Sequence, residues 1–208
     1  MSEDTRPYRS VLYIPGSKQR ALDKARSLPV DAIILDLEDA VAPEAKPAAR
    51  KTLATALGEG GYGNRVQIVR INGLETPWWQ DDIAALADSE LDAILLPKVN
   101  SPEDIQRLVD ALASPVSVWA MLETPLGILN AQSIAAHPRT AGFVVGTNDL
   151  AKELNCRFRA DRLPLLTALQ TVLLAARAEG VIAIDGVYTQ FNGAPLTTAE
   201  RAPRPLRL

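Results

Sequence analysis

Seven short apolar runs, rich in β-branched residues, recur along the chain with longer segments of helical period between them. They are Val11-Leu12-Tyr13-Ile14, Ala32-Ile33-Ile34-Leu35, Val66-Gln67-Ile68-Val69, Ala93-Ile94-Leu95-Leu96, residues 116–122, Phe143-Val144-Val145 and Val181-Ile182-Ala183-Ile184. Each is strand length, and most are apolar at nearly every position, as a strand buried on both faces must be. The intervening segments read as amphipathic helices. Residues 17–28 bring Ala21, Leu22, Ala25 and Leu28 to one face behind Ser17 as the expected N-cap, and 102–113 do the same with Ile105, Leu108, Val109 and Leu112 behind Ser101 and Pro102. Residues 162–179 predict the longest helix, stopped by Gly180. Alternation of this kind specifies a parallel sheet with helical crossovers.

Seven units favour a (β/α)8 barrel, here incomplete at about seven β/α units, over a doubly wound sheet. The polar residues agree, because they gather just after strand ends: Asp36 to Asp39, Arg70 with Asn72, Lys98, Glu123, and Asn148 with Asp149. In a barrel those ends converge on one mouth. The 208 residues fall short of the roughly 250 that a closed barrel typically uses. After Asp185-Gly186 neither an eighth strand nor a closing helix is legible, so residues 1–193 read as the barrel domain and 194–208 as an irregular tail.

Composition removes several function classes. Lys plus Arg number 22 against 25 Asp plus Glu, a net charge of −3 that offers no basic face for nucleic acid. Cys156 is the single cysteine, which excludes a disulfide framework or a thiolate zinc site. No run of about 18 uncharged apolar residues predicts a membrane span, and Met1-Ser2-Glu3-Asp4 lacks a signal-peptide core. A cytoplasmic protein acting on small molecules is the expectation.

Glu123 and Asp149 are the sharpest pair, since carboxylates on adjacent strand ends can share one hard cation, with water or substrate oxygens completing its shell. Two helix N-terminal acids would give the same spacing. Arg70 ends a strand and could grip a substrate carboxylate, or form a structural ion pair with the Asp36/Glu38/Asp39 group, or do both. Lys98 also follows a strand; a structural or ligand-contacting role fits it better than a Schiff base. Pro15-Gly16-Ser17-Lys18 precedes a helix whose N–H groups, with Lys18 and Arg20, could receive a phosphate. His137 is the single histidine and, without a Gly-x-Ser-x-Gly motif, reads as structural.

The ordered set of these segments resembles the citrate lyase β-subunit family, together with malyl-CoA lyases and similar aldolases. The matching stretches are 9–16, 34–41, Lys46 with Ala49-Arg50, 69–72, 96–99, 122–127, 146–150 and 184–188. The resemblance implies a barrel of the phosphoenolpyruvate/pyruvate-binding type that forms a homo-oligomer and binds CoA esters and keto acids. It implies Mg²⁺ on Glu123 and Asp149, substrate contacts from Arg70, Glu123, Lys18 and Gly16, and catalytic roles for Arg70, Glu38 and Asp39. The expected reaction is Mg²⁺-dependent carbon–carbon cleavage of a citryl-CoA- or malyl-CoA-type ester into a keto acid and an acyl-CoA. An aldolase of free 2-keto acids, or an impaired metal- and CoA-binding remnant, are the alternatives. In the family a further strand and helix follow, with a C-terminal acid that manages the enolate proton; residues 193–198 match none of that, as in a truncated or frame-shifted end. Exposed edges on the first and seventh strands, association and weak turnover are then expected.

Overall fold

The computed structural model describes residues 8–188. Strands β1 (Val11–Pro15), β2 (Ala32–Asp36), β3 (Val66–Arg70), β4 (Ala93–Leu96), β5 (Ser117–Leu122), β6 (Thr140–Val145) and β7 (Ile182–Ile184) form one sheet. All neighbouring pairs are parallel, and the spatial order is β1-β2-β3-β4-β5-β6-β7. A doubly wound sheet reverses its strand order at a switch point. No reversal occurs here, so the chain winds in one direction and the sheet curls into a part-barrel. Among the described residues neither β1 nor β7 has a second strand neighbour. The expected change of character after residue 193 lies outside the described residues.

The helices are α1 (Gln19–Ala25), α2 (Lys46–Glu59), α3 (Trp79–Leu86), α4 (Pro102–Ala111), α5 (Pro125–Leu129), α6 (Ala131–Ala135), α7 (Thr147–Glu153) and α8 (Leu166–Glu179). Two ends differ from the sequence reading. Ser17 does not cap α1, because the Lys18 N–H closes a turn onto the Pro15 carbonyl at 3.1 Å and the helix starts only after Lys18. Helix α8 starts at Leu166, since Arg162 is left-handed (φ 57°) and Leu163–Leu165, which holds Pro164, is a 3₁₀ turn. It is no longer than α2, both having 14 residues. The other signals operate as read. The Ser101 N–H donates to Asp104 Oδ2 at 3.1 Å ahead of α4, and Gly180 ends α8 at φ 72°.

Period-two alternation divides the sheet between two cores. Outward residues such as Ile33, Leu35, Val69, Leu96, Ala120 and Phe143 pack with helical residues including Leu22, Leu53, Leu108 and Val172. The opposite residues, Ala32, Ile34, Val66, Ile68, Ala93, Leu95, Trp119, Met121 and Val144, form a second cluster to which no helix contributes. That concave face is the barrel interior. Tyr8 closes its lower end edge-on against Trp119, with ring centroids 5.5 Å apart. Continuing the alternation one step beyond Ile34, Ile68 and Met121 gives Asp36, Arg70 and Glu123, all buried. The fold therefore aims these three side chains at the upper mouth.

Space for Trp119 comes from Gly142 on the neighbouring strand, where a Cβ would lie 2.7 Å from the indole ring. We predict that Gly142→Ala destabilises the protein by about 1–3 kcal/mol through overpacking. Chemical denaturation reads this directly; an unshifted midpoint would contradict the packing.

Candidate functional site

Asp36 and Arg70 are register partners on β2 and β3. Their side chains meet edge to edge, Arg70 Nε donating to Asp36 Oδ1 at 2.7 Å and Nη2 to Oδ2 at 2.6 Å. Asp36 also accepts the N–H groups of Glu38 (2.9 Å) and Ala40 (3.0 Å), so one carboxylate both aligns the arginine and folds the following loop. Nη1 is the guanidinium nitrogen not engaged by Asp36. It lies 2.8 Å from Glu38 Oε2 and 3.9 Å from Asp39 Oδ2, with Met121 Sδ at 3.8 Å. The Tyr13 ring covers the guanidinium, with Cζ 5.1 Å from its centroid. Both sequence readings of Arg70 therefore bear on one geometry: the acids orient it, and the Nη1 end faces the mouth.

Glu123 follows β5 on the same inward face and is 2% exposed. Its Oε1 accepts the Lys98 N–H at 3.0 Å, which requires Lys98 to adopt φ 53°, a conformation that strains a non-glycine residue. Its other oxygen lies where a Cβ on Gly146 would come within 2.3 Å, so glycine at that position is a condition of the carboxylate's placement. Burial, then the charge of Glu38, pushes Glu123 up to about 8 against an ordinary 4.5; Asp149 raises it further, while the Lys98 N–H and Arg70 pull it down. Asp149 is half-buried in the first turn of α7, after the adjacent strand. Glu38 is also raised, by burial first and partly offset by Arg70.

Behind the mouth lies a layer of buried polar side chains. Lys46 Nζ donates to the carbonyls of Leu37 and Glu38, both at 3.0 Å, and lies over the Trp78 ring. Asn72 Nδ2 donates to the Leu37 carbonyl at 3.1 Å and to Asp82 Oδ2 at 2.6 Å, and the Asp82 Oδ1 accepts from Arg50 Nε at 2.7 Å. This network joins α2, α3 and the loops after β2 and β3, so the acidic loop is braced from below.

The sequence candidates thus divide. Arg70, Glu38 and Glu123 converge inside the mouth, and Asp149 is close enough to act on Glu123 electrostatically. Asp39 sits at the rim, its side chain 70% exposed. Gly16 is buried beneath, its N–H spent on the Asp36 carbonyl at 2.8 Å, while Lys18 is exposed. The N–H groups of Gly16 and Lys18 are consumed within the protein, bonded to the Asp36 and Pro15 carbonyls. Lys98 contributes a backbone N–H, and its side chain is exposed. His137 bonds Gln106 Oε1 at 3.1 Å and the Arg139 N–H at 3.3 Å, in the connection that leads into β6 rather than after a strand's C-terminal end. Asp36, present in the acidic run but not singled out from it, is the most tightly engaged acid of the mouth; it alone of the three lies within β2, where its register with β3 sets it beside Arg70.

The residues fit a hard divalent ion. Asp36, Glu38 and Asp39 crowd the guanidinium of Arg70, while Glu123, under the charges of Glu38 and Asp149, has no ion-pair partner among the described residues. No group of three potential ligands occurs among the described residues. An ion held by one or two carboxylates, its other positions filled by water or substrate oxygens, matches Mg²⁺ better than a thiophilic or imidazole-bound metal. A separate cleft of about 350 Å³, lined by Ile83, Ala84, Ile94, Leu112 and Val116, opens on the outer face between α3 and α4 and shares no residue with the mouth.

Two predictions follow from these charges. Removing Asp36 strands a buried cation, so Asp36→Ala should cost about 3–5 kcal/mol in an unfolding titration, against little change for the exposed Asp39→Ala. In metal-free protein the folded state holds the Glu123 proton up to about 8, whereas the unfolded carboxyl releases it near 4.5. Between those values the native state binds more protons, so stability falls as pH rises. Thermal unfolding in EDTA at pH 5 and pH 8 should show that fall, and Glu123→Gln should flatten it.

Comparison with known proteins gives the same architecture. The model of the HpcH/HpaI aldolase/citrate lyase family matches residues 9–202, running on into the 194–208 segment. A (3S)-malyl-CoA thioesterase of Cereibacter sphaeroides is 58% identical over 192 residues, covering 92% of this chain and 67% of that protein. The citrate lyase subunit beta of Leuconostoc mesenteroides subsp. cremoris is 34% identical, over 88% of this chain and 65% of that protein. The chain thus spans about two thirds of the length of these relatives. Among solved structures, protein CitE from Mycobacterium tuberculosis in complex with magnesium, acetoacetate and coenzyme A superimposes with a TM-score of 0.76 at 33% identity, covering 88% of this chain and 67% of that one. No helix among the described residues is long and apolar enough to cross a membrane. By its sequence match and its curled parallel sheet, the chain belongs to the HpcH/HpaI aldolase/citrate lyase family.

Proposed function

We propose that this chain is a Mg²⁺-dependent carbon–carbon lyase acting on a hydroxyacyl-CoA of the malyl-CoA or citryl-CoA type. The observation that carries the reading is the buried Asp36–Arg70–Glu38 constellation facing the desolvated Glu123. Glu123 and Asp149 would hold the metal. Bound there, Mg²⁺ supplies Lewis-acid stabilisation of negative oxygen without a lysine imine. Arg70 presents Nη1 to the substrate carboxylate and offsets its charge, with its orientation already fixed by Asp36. Glu38, whose burial raises its proton affinity, is placed to take the hydroxyl proton. As that proton leaves, the carbon–carbon bond breaks; its electron pair goes to the thioester as an enolate, and a keto acid remains. The enolate then takes up a proton to give the acyl-CoA. Asp39 and Lys18 would contribute at the rim, toward the CoA portion, with Gly16 packed beneath them, and homo-oligomerisation is part of the same proposal.

A second reading is supported by the 58% identity to a (3S)-malyl-CoA thioesterase. The same grip on carboxylate and carbonyl oxygens serves attack of water on the thioester, which releases the hydroxy acid and free CoA thiol. Malyl-CoA incubated with the protein and Mg²⁺ separates the two. The lyase yields keto acid without free thiol; the hydrolase yields thiol without keto acid. EDTA should abolish turnover, and Glu123→Gln should lower kcat by about 10²–10³-fold. EDTA-resistant turnover, or full activity in Glu123→Gln, would defeat the metal reading.

A further inference from the structure

Three buried side-chain polar atoms among the described residues lack a hydrogen-bond partner: Tyr13 Oη, Glu38 Oε2 and Tyr62 Oη. Two of them lie at the mouth. Glu38 Oε2 at least has the ion pair with Arg70 Nη1 at 2.8 Å. Tyr62 Oη belongs elsewhere, its ring under Arg26 in the helical layer. The Tyr13 hydroxyl has neither a bond nor an ionic contact.

Tyr13 stands on the inward face of β1, and its ring carries the Arg70 guanidinium at 5.1 Å. Four charges act on its hydroxyl, those of Arg70, Asp36, Glu123 and Glu38. Those residues stand at or just after the upper ends of β2, β3 and β5, and with its ring against Arg70 on the interior face the Tyr13 hydroxyl is buried among the side chains that line the mouth. Burial raises its pKa well above the ordinary tyrosine range, which keeps it a proton donor and excludes it as a base. An unpaired buried hydroxyl costs about 1–3 kcal/mol, and a phenylalanine would fill the same volume without that cost. The arginine supplies the complementary need. Its Nε–Nη2 edge is occupied by Asp36, so a ligand would have to share Nη1 with Glu38, and a carboxylate has two oxygens to satisfy.

We propose that the Tyr13 hydroxyl is a ligand-binding group of this site, donating a hydrogen bond to the carboxylate of the bound 2-oxo acid beside Arg70 Nη1. The inference rests on the metal and keto-acid reading above. Its test is calorimetric titration of the full chain with pyruvate in the presence and absence of Mg²⁺, alongside Tyr13→Phe and Tyr62→Phe. Tyr13→Phe should weaken Mg²⁺-dependent binding about tenfold, the loss of one hydrogen bond to a charged group, without lowering Tm. Tyr62→Phe, which removes the remote orphan hydroxyl, should leave pyruvate affinity unchanged. Unaltered affinity in Tyr13→Phe, or equal weakening in Tyr62→Phe, overturns this inference alone. No Mg²⁺-dependent pyruvate binding by the unmodified protein overturns the underlying metal reading and this inference with it.

Discussion

The edge-to-edge contact of Asp36 with Arg70 is the interaction on which the mouth of this barrel depends. Neither side chain would be tolerated alone at its depth, because an unpaired charge in a low-dielectric interior costs several kcal/mol. Together they are satisfied: Asp36 accepts two guanidinium bonds and two backbone N–H groups, which fills its acceptor capacity. The pair therefore does two jobs. It fixes the planar guanidinium in one orientation, and it bends the chain after β2 so that Glu38 approaches Nη1. Lys46 and Asn72 then hold that loop from beneath, donating to the Leu37 and Glu38 carbonyls, and Asp82 holds Asn72 in place by accepting from its Nδ2.

Across the mouth, Glu123 is treated differently. A single backbone N–H from Lys98 serves its Oε1, and Gly146 gives its other oxygen room, but no cation is in contact with it. The asymmetry divides the site into a compensated half around Arg70 and an uncompensated half around Glu123. The proposed roles follow this division, with a substrate carboxylate at the first and a divalent ion at the second. The strain at Lys98 belongs to this arrangement, since its left-handed backbone turns the N–H toward Glu123.

Family membership narrows the chemistry without choosing the bond that breaks. Carbon–carbon cleavage and thioester hydrolysis both develop negative charge on an oxygen, which a metal ion or a guanidinium can offset in either reaction. Relatives with each kind of name match this chain over nearly all its length. The distinction must come from how water and the enolate carbon are managed above the mouth.

The alternation of apolar strands with amphipathic helices was legible from local residues, because periods of two and 3.6 are written within single segments. So were the strand-end positions of Arg70 and Glu123 and the end of α8 at Gly180, whereas Asp149 lies in the first turn of α7. The start of α1 was not, since a turn onto Pro15 displaced the apparent Ser17 cap. Nor could the acidic run reveal which of Asp36, Glu38 and Asp39 would be buried against Arg70. That choice needs the phase of β2 and its register with β3, and register is a relation between segments 34 residues apart. The same holds for the Tyr13 hydroxyl left unbonded beneath the guanidinium, and for the glycine at 146 that makes room for Glu123. Sequence by itself determined which elements form and which side chains end them. Only the curl of the assembled sheet decided which of those side chains meet, because the distances that set their charges run across strands rather than along the chain.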